Sequence, residues 1–403
     1  MKVTINKCTP SGCVAAPPSK SMAHRLLICG GLAQGKSVIH GIAPSQDVLA
    51  TLDCLAALGA EYCYEGDTVT INGIGKPSHT NGGLYCRESG STLRFFLPLC
   101  MFSDEKKSLF GSQTLLGRPL DVYKTIAQRD GIQFSNDGKE ISVSGKLKGG
   151  EYTLPGNISS QFITGLLFAL PLLDSDSTIK IIPPVESLSY INMTIDALKS
   201  FGVEIIQEDK YTLHIRGNQS FTPREVSVEG DYSNAAFFAA LGHLGAPVSV
   251  TGLNAESLQG DKAYTELFRR LDEGTPEIDI SDCPDLGPVL FAVAAAKNGA
   301  VFTGTKRLKI KESDRGETMA EELRKFGTDV RIEENSVTVI PTAFTTPKEA
   351  LYGHNDHRIV MSLSILLTLT GGSIDGAEAV NKSMPDFFEK LQQAGAEIHY
   401  ETV

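Results

Sequence analysis

The chain lacks any apolar run long enough to cross a membrane. Its most apolar stretch, residues 162–173, is about half the length of a membrane-spanning helix and includes Thr164, Gly165 and Pro171. We therefore predict no transmembrane helix and no membrane partner, and interpret this stretch as a buried core helix.

An excess of positive charge is also missing. Lys and Arg total 37 against 48 Asp and Glu, which gives a formal net charge of −11 at pH 7. This balance argues against a nucleic-acid-binding or anionic-membrane surface. Any anionic ligand must therefore be bound by local clusters of cations.

Closely spaced cysteines are absent too. The eight cysteines are scattered singly without a CxxC motif, which is typical of reduced thiols in a cytoplasmic protein. The first six residues have no apolar character, so we predict no signal peptide. His354 and His357 have HxxH spacing, but no carboxylate or Cys cluster accompanies them in the sequence, so we predict no metal site.

What the chain does contain is a repeated pattern of an amphipathic helix, a glycine and a short β-rich stretch. The glycines that end these helices are Gly59, Gly131, Gly202, Gly327 and Gly395, separated by 72, 71, 125 and 68 residues. A glycine at this place suits the left-handed position that stops a helix. The gap of 125 residues indicates two periods with one shortened repeat, which we place at Leu267–Ile280, where the usual strand pair is missing.

Six repeats of about 70 residues that mix helices and strands predict an α+β fold of duplicated motifs. Turn-forming residues at Pro17-Pro18 and at Glu229-Gly230-Asp231 predict two domains. One is discontinuous and comprises residues 1–17 and 229–403, with the shortened repeat near 272–281. The other comprises residues 18–228. Each contains three repeats.

Several polar motifs stand beside predicted helix starts, where free backbone N–H groups favour anions. Residues 20–25, Lys-Ser-Met-Ala-His-Arg, precede an apolar run, and residues 88–94, Glu-Ser-Gly-Ser-Thr-Leu-Arg, place small residues before Arg94. Each motif alone is also compatible with an ordinary solvated helix start.

Taken together, the motifs resemble the 5-enolpyruvylshikimate-3-phosphate synthase family along essentially the whole chain. They occur in the order found in that family, at residues 20–25, 88–94, 118–119, 159–161, 284–285, 311–315, 356–358 and 382–386. The resemblance implies two domains of three βαβαββ units each, with the active site in the cleft between them. It also implies a monomer that requires no metal or organic cofactor and acts only on small molecules.

The same resemblance implies transfer of the enolpyruvyl group of phosphoenolpyruvate to the 5-hydroxyl of shikimate 3-phosphate, with release of phosphate. The residues expected to bind shikimate 3-phosphate are Lys20, Ser21, Arg25, Ser159, Ser160, Gln161, Ser187, Tyr190, Asp285 and Lys311. Those expected to bind phosphoenolpyruvate are Lys20, Gly90, Arg94, Arg118, Gln161, Arg315, Arg358 and Lys382.

The resemblance also implies that Asp285 and Glu312 carry out the acid–base chemistry, assisted by Lys20. Glu312 is expected to act at the methylene carbon and Asp285 near the hydroxyl. Eight cations against these two carboxylates leave a charge of about +6, close to the roughly −5 to −6 that two phosphates and two carboxylates carry. The family pattern is not followed at Glu88 and Arg307, where the best-known bacterial members carry Asn. Gly90 is expected to leave room for the herbicide glyphosate.

Two other enzyme classes compete with this interpretation. Residues 30–37 match the P-loop pattern GxxxxGK[ST], which would indicate an ATP-dependent phosphotransferase, but the following residues 38–44 are β-branched and broken by Gly and Pro, where a helix should begin. A UDP-N-acetylglucosamine enolpyruvyl transferase usually carries a reactive Cys before its Arg-Pro pair. Here residues 111–117 contain no cysteine, which favours shikimate 3-phosphate as the acceptor.

Overall fold

The computed structural model describes residues 1–342 and 344–401. The strands are β1 Lys2–Ile5, β2 Gly12–Ala15, β3 Gly35–His40, β4 Glu61–Glu65, β5 Thr68–Gly73, β6 Leu84–Tyr85, β7 Phe102–Phe110, β8 Gln133–Asn136, β9 Ile141–Lys146, β10 Gly150–Pro155, β11 Ser177–Ile182, β12 Ile205–Gln207, β13 Thr212–Ile215, β14 Glu225–Ser227, β15 Val248–Thr251, β16 Glu277–Asp279, β17 Ala300–Thr303, β18 Asp329–Ile332, β19 Ser336–Ile340, β20 Leu351–Tyr352, β21 Gly372–Asp375 and β22 Ile398–Glu401.

The α-helices are α1 Lys20–Leu32, α2 Gln46–Ala57, α3 Gly90–Leu99, α4 Gln113–Leu116, α5 Asp121–Asp130, α6 Ser160–Ala169, α7 Leu188–Ser200, α8 Tyr232–His243, α9 Tyr264–Asp272, α10 Gly287–Ala296, α11 Arg315–Lys325, α12 His357–Thr370 and α13 Phe387–Gln393. Short 3₁₀ helices span Leu170–Leu172, Gly260–Ala263, Pro284–Leu286, Lys306–Ile310 and Ala377–Lys382.

The chain forms two compact units. The central unit is Lys20–Glu229, and the terminal unit combines Met1–Ser19 with the chain from Gly230 onward. We retain the domain boundaries after residues 17 and 228, predicted from the sequence, as a proposal. Each unit has its own hydrophobic core of buried aliphatic and aromatic side chains.

The central unit contains three four-stranded sheets with the orders β14-β3-β5-β4, β6-β7-β9-β8 and β10-β11-β13-β12. In each sheet the first two strands are parallel and the last two are antiparallel neighbours. In β10-α6-β11-α7-β12-β13 the helices connect the strands in the βαβαββ order that the resemblance implies.

The terminal unit repeats this pattern twice, in the sheets β16-β17-β19-β18 and β20-β21-β1-β22. Its third sheet has only two strands, β2 and β15, which pair in parallel. After α9 the chain turns at Gly274 directly into β16 of the next sheet. This sheet thus lacks the pair of strands that the other sheets have, and the predicted α+β class is confirmed.

Helix termination follows the predicted glycine signals. The glycines at 59, 131, 202, 327 and 395 all have positive φ, from +77° to +105°. A residue with a Cβ is strained in this region, so these positions favour glycine.

The predicted core helix at residues 162–173 is also confirmed, since α6 and the following 3₁₀ turn are buried. In the described part of the chain, no helix combines the length and apolar character needed to traverse a bilayer.

Candidate active site

Side-chain hydrogen bonds link the N-terminal halves of two pairs of helices in the central unit, α3 with α6 and α1 with α7. Arg94 in α3 donates from Nη1 to Gln161 Oε1 in α6 over 2.6 Å, and Gln161 Nε2 donates to Ser91 Oγ over 3.0 Å. In α1 and α7, Arg25 Nη2 donates to the Tyr190 carbonyl over 2.9 Å. Free N–H groups at converging helix starts favour an anion.

Arg25 is almost fully buried, and its guanidinium bonds several protein groups. Its Nε donates to Thr194 Oγ1 over 3.0 Å, its Nη1 donates to the Ser21 carbonyl over 2.6 Å, and the group lies over the rings of Phe95 and Tyr190. Burial lowers the pKa of Arg25 to about 10, so it still carries its charge at neutral pH. Arg25 is therefore anchored between α1 and α7 and contacts Ser21 and Tyr190, two other residues predicted to bind shikimate 3-phosphate.

Gly90 is the point at which two predicted phosphoenolpyruvate ligands meet. A Cβ placed on Gly90 would lie 2.6 Å from Arg118 Nη1 and 3.8 Å from Arg94 Nη1. The Arg94 guanidinium also lies 5.1 Å from the centre of the Phe162 ring. Two neighbouring guanidinium groups over a residue without a side chain suit a phosphate or carboxylate.

The serines predicted to bind shikimate 3-phosphate at residues 159, 160 and 187 lie at the starts of α6 and α7. Ser159 caps α6 and accepts a hydrogen bond from the Gln161 backbone N–H over 3.3 Å, and Ser160 is the first residue of that helix. Ser187 immediately precedes α7, is buried, and adopts the left-handed conformation with φ of 57°. This backbone conformation is costly for a residue with a side chain and is enriched at functional sites.

In the terminal unit, three cations converge on Asp285. Lys311 Nζ lies 3.1 Å from Asp285 Oδ1, Arg315 Nη1 lies 2.8 Å from the same oxygen, and Arg358 Nη2 lies 3.3 Å from Oδ2. Arg358 Nη1 also donates to the Asp285 backbone carbonyl over 3.1 Å. The turn before α10 and the starts of α11 and α12 thus meet at one carboxylate.

Arg315 also binds two other carboxylates. Its Nη2 lies 2.6 Å from Glu312 Oε2, and its Nε lies 2.8 Å from Asp356 Oδ2. Asp356 is completely buried and caps α12 by accepting from the Arg358 backbone N–H over 2.9 Å. The two predicted acid–base residues, Asp285 and Glu312, are therefore bridged by the same guanidinium.

These ion pairs shift the pKa values of the group. Burial alone would raise the pKa of Asp285, but the charges of Arg358, Lys311 and Arg315 hold it well below the ordinary value. Burial lowers the pKa of Lys311 despite the opposing charge of Asp285. Burial would likewise lower the pKa of Arg315, but Asp356, Glu312 and Asp285 raise it overall. Asp285 is therefore ionised at neutral pH.

A further carboxyl group, Asp261, is buried in the terminal unit and was not predicted. Its Oδ2 accepts a hydrogen bond from Ser233 Oγ, and its Oδ1 has no hydrogen-bond partner. Burial, followed by repulsion from Asp285, raises the pKa of Asp261 to about 6. Asp261 therefore keeps its proton to a higher pH than an ordinary carboxyl group does.

Lys382 is positioned by a strained loop. Its Nζ donates to the Asn355 carbonyl over 2.6 Å. His354 and Asn355 both have positive φ, 48° and 53°, immediately before the α12 cap. The loop before α12 therefore places the Asn355 carbonyl beside Lys382, which is predicted to bind phosphoenolpyruvate.

The predicted charge balance needs correction, because it left two carboxylates out. Asp47 Oδ2 lies 2.8 Å from Lys20 Nζ, and Asp356 neutralises part of Arg315. The net charge available to an anion is therefore smaller than about +6. Asp47 lies in the first turn of α2 and Asp356 caps α12, and both positions are recognisable in the sequence. Their partners, Lys20 and Arg315, are 27 and 41 residues away.

The P-loop alternative is excluded by the local structure. Gly30 and Gly31 lie inside α1, and Gly35, Lys36 and Ser37 begin β3 instead of a helix. Since a P-loop requires a strand before the glycine-rich turn and a helix after it, residues 30–37 cannot form one.

The histidines at 354 and 357 do not point to a common site. His354 Nε2 lies 3.0 Å from Glu322 Oε1, with Glu321 nearby, whereas His357 is buried at the start of α12. The folded chain brings the carboxylates of Glu321 and Glu322 close to His354, although they are more than 30 residues away in the sequence. Glu322, however, already pairs with Lys325 at 3.0 Å, which occupies it with a cation of the protein itself.

Comparison with known proteins identifies the family of the chain. The family model described as EPSP synthase (3-phosphoshikimate 1-carboxyvinyltransferase) matches residues 8–391. A protein named 3-phosphoshikimate 1-carboxyvinyltransferase from Clostridium perfringens is 39% identical over 417 residues, covering 98% of each chain. A protein of the same name from Clostridioides difficile is 39% identical over 422 residues, covering 96% of each chain.

Solved structures show the same fold. An EPSP synthase from Acinetobacter baumannii superimposes with a TM-score of 0.81 at 23% identity, covering 99% of this chain and 100% of that one. The enolpyruvyl transferase NikO from Streptomyces tendae has a TM-score of 0.79 at 16% identity, covering 100% of this chain and 99% of that one. With a family model that matches nearly the whole chain, relatives near 39% identity and this shared fold, the protein belongs to the EPSP synthase (3-phosphoshikimate 1-carboxyvinyltransferase) family.

Proposed function

We propose that Asp285 and Glu312 carry out the acid–base steps of the reaction catalysed by this protein. The enzyme is a 3-phosphoshikimate 1-carboxyvinyltransferase of the shikimate pathway. The reaction transfers the enolpyruvyl group of phosphoenolpyruvate to shikimate 3-phosphate. The observation that carries the assignment is the arrangement around Arg315, which binds Asp285 at 2.8 Å and Glu312 at 2.6 Å. Two carboxylates held by one buried cation have fixed positions, as general acid–base catalysis requires.

In this proposal Asp285 removes the proton from the 5-hydroxyl, whose oxygen bonds to the phosphate-bearing carbon of phosphoenolpyruvate. Glu312 protonates the methylene carbon, which completes a tetrahedral intermediate. In the elimination Glu312 takes a proton back from the new methyl group, the carbon–oxygen bond to phosphate breaks, and Asp285 gives its proton to the leaving phosphate oxygen. Lys20 assists these proton transfers, and no metal or organic cofactor is required.

The cations around Asp285 explain how its basicity is adjusted. In the structure they hold the pKa of Asp285 well below its ordinary value. Phosphate and carboxylate groups of the substrates compete for Lys311, Arg315 and Arg358 and add negative charge. Substrate binding therefore raises the pKa of Asp285 towards the range in which a carboxylate is an effective base at neutral pH.

We assign the binding roles as the family resemblance suggests. Shikimate 3-phosphate is bound by Lys20, Ser21, Arg25, Ser159, Ser160, Gln161, Ser187, Tyr190, Asp285 and Lys311. Phosphoenolpyruvate is bound by Lys20, Gly90, Arg94, Arg118, Gln161, Arg315, Arg358 and Lys382. The contact between Arg94 and Gln161 and the proximity of both Arg94 and Arg118 to Gly90 support these assignments.

We further propose a cytoplasmic monomer without a nucleic-acid partner. The eight cysteines are free thiols, five of them buried, which suits a reducing compartment. The net charge of −11 disfavours a nucleic acid as a partner.

The direct test is phosphate release from phosphoenolpyruvate by the purified protein with each acceptor in turn. We expect release that depends on shikimate 3-phosphate and none with UDP-N-acetylglucosamine. Release that requires UDP-N-acetylglucosamine, or that occurs equally without any acceptor, would contradict the proposed substrate.

A further inference from the structure

Lys20 and Asp47 form an ion pair that is sheltered from solvent. Lys20 Nζ lies 2.8 Å from Asp47 Oδ2, and the side chains are 16% and 13% exposed. Lys20 is the first residue of α1 and Asp47 lies in the first turn of α2. In contrast, Lys76 and Asp174 in the same unit form a pair at 3.0 Å with side chains that are 44% and 87% exposed.

Asp47 also contacts the start of α3 through its backbone. Its carbonyl accepts from Thr92 Oγ1 at 3.5 Å and from Thr51 Oγ1 at 3.4 Å, and these two hydroxyls lie 3.0 Å from each other. Thr92 Oγ1 also lies 2.8 Å from Ser89 Oγ, the side chain that caps α3. The position of Asp47 is thus fixed to the helix that begins with Gly90.

A buried histidine joins the same network from α1. His24 Nδ1 lies 2.6 Å from Thr51 Oγ1. Burial, aided by the charges of Lys20 and Arg25, lowers the pKa of His24 well below its ordinary value. The neutral imidazole adds no charge, so Asp47 is the group in this network that balances the Lys20 ammonium.

We propose that Asp47 is a positioning residue that sets the location of the Lys20 ammonium relative to the start of α3. The inference rests on the role of Lys20 in the proposed function. Because Lys20 is assigned to both substrates and Gly90 to phosphoenolpyruvate, the pair links the two binding groups of the central unit. Both side chains keep some exposure, so water can solvate the Lys20 ammonium when Asp47 is replaced, and we expect the replacement to change catalysis more than folding.

The test compares Asp47→Asn and Asp47→Glu with a matched control, Asp174→Asn, which removes the carboxylate of the exposed pair. The wild-type protein is first shown to release phosphate only with shikimate 3-phosphate. If it does not, the proposed function fails and the role of Asp47 falls with it. If it does, kcat, both KM values and urea unfolding are measured for each variant.

We expect Asp47→Asn to lower kcat/KM for both substrates by about 10- to 100-fold, the size that loss of one charged positioning contact produces. Asp47→Glu keeps the charge but displaces it, so kcat/KM should fall by roughly 10-fold. Asp174→Asn should behave as wild type.

Activity of Asp47→Asn within twofold of wild type would overturn the proposal. So would a loss of activity that is explained by reduced stability alone, with both KM values unchanged. If Asp47→Asn does not fold, Asp47→Glu decides, since full activity in that variant would show that the position of the carboxylate does not matter.

Discussion

Arg315 and Asp356 form a fully buried ion pair in which Arg315 Nε lies 2.8 Å from Asp356 Oδ2. Only 1% of the Arg315 side chain and none of the Asp356 side chain is exposed. The same carboxylate caps α12 and accepts from Ser313 Oγ at 3.2 Å. Asp356 therefore fixes the guanidinium that bridges the two proposed acid–base residues.

Removing one partner of such a pair leaves the other charge buried without compensation. We expect Asp356→Ala to lower the free energy of unfolding by about 3–5 kcal/mol, measured by urea denaturation. The control Asp174→Asn, in an exposed pair, should stay close to wild type. An Asp356→Ala variant as stable as wild type would show that Arg315 is held mainly by its other partners.

The arrangement around Asp285 predicts a change in pH dependence. Lys311→Met removes an ammonium 3.1 Å from Asp285, one of the charges that lower its pKa. The carboxylate must be unprotonated to act as a base, so a higher pKa moves the acidic limb of the kcat/KM profile to higher pH. Lys309→Met, at an exposed position on the 3₁₀ helix that ends just before Lys311, should leave that limb in place. An unchanged limb in Lys311→Met would contradict the assignment of Asp285 as the base.

Gly90 predicts a selective effect on phosphoenolpyruvate. An added methyl group would lie 2.6 Å from Arg118 Nη1, so the guanidinium must move in Gly90→Ala. We expect KM for phosphoenolpyruvate to rise by roughly tenfold with KM for shikimate 3-phosphate nearly unchanged. Glyphosate is expected to inhibit the wild-type enzyme in competition with phosphoenolpyruvate and to inhibit Gly90→Ala less. Equal changes in both KM values would instead indicate general disorder of α3.

Asp261 predicts a pH-dependent contribution to stability. Its pKa is about 6 in the folded protein against an ordinary 3.8, so the folded state holds the proton more tightly. Its contribution to the free energy of unfolding is therefore complete below about pH 4 and is lost as pH rises to about 6. A shift of this size corresponds to about 3 kcal/mol.

Asp261→Asn should remove that dependence and make the protein more stable than wild type at pH 7. Urea unfolding of both proteins at pH 4.5 and pH 7 measures the difference. A variant that is less stable at both values would show that the Ser233 hydrogen bond outweighs the buried charge.

Much of the fold could be predicted because its signals are local. A glycine four residues after a helical leucine, as at Gly59 or Gly202, marks a left-handed helix end whatever the rest of the chain does. The missing strand pair before β16 was equally visible in the spacing of these glycines. The pairing of β1 with β22 was not predictable, since it joins strands almost 400 residues apart.

The contacts of the candidate site were likewise predictable only where they are local in the sequence. Residues within one motif, such as Glu312 and Arg315, are three residues apart at the entry to α11, so their contact is local in the sequence. The partners of Lys20 and Arg315 come from other helices, so Asp47 and Asp356 could not be assigned before the helices were placed. Asp261 carried no motif at all, and only its burial beside Asp285 and Ser233 distinguishes it.

The measurement that tests the central claim most directly is steady-state phosphate release by Glu312→Gln with both substrates, combined with shikimate 3-phosphate binding by calorimetry. Gln can still accept from Arg315 but cannot protonate carbon. We expect kcat to fall by about 10²- to 10⁴-fold while the affinity for shikimate 3-phosphate changes little. Turnover within tenfold of wild type would contradict the assignment of Glu312 as the acid.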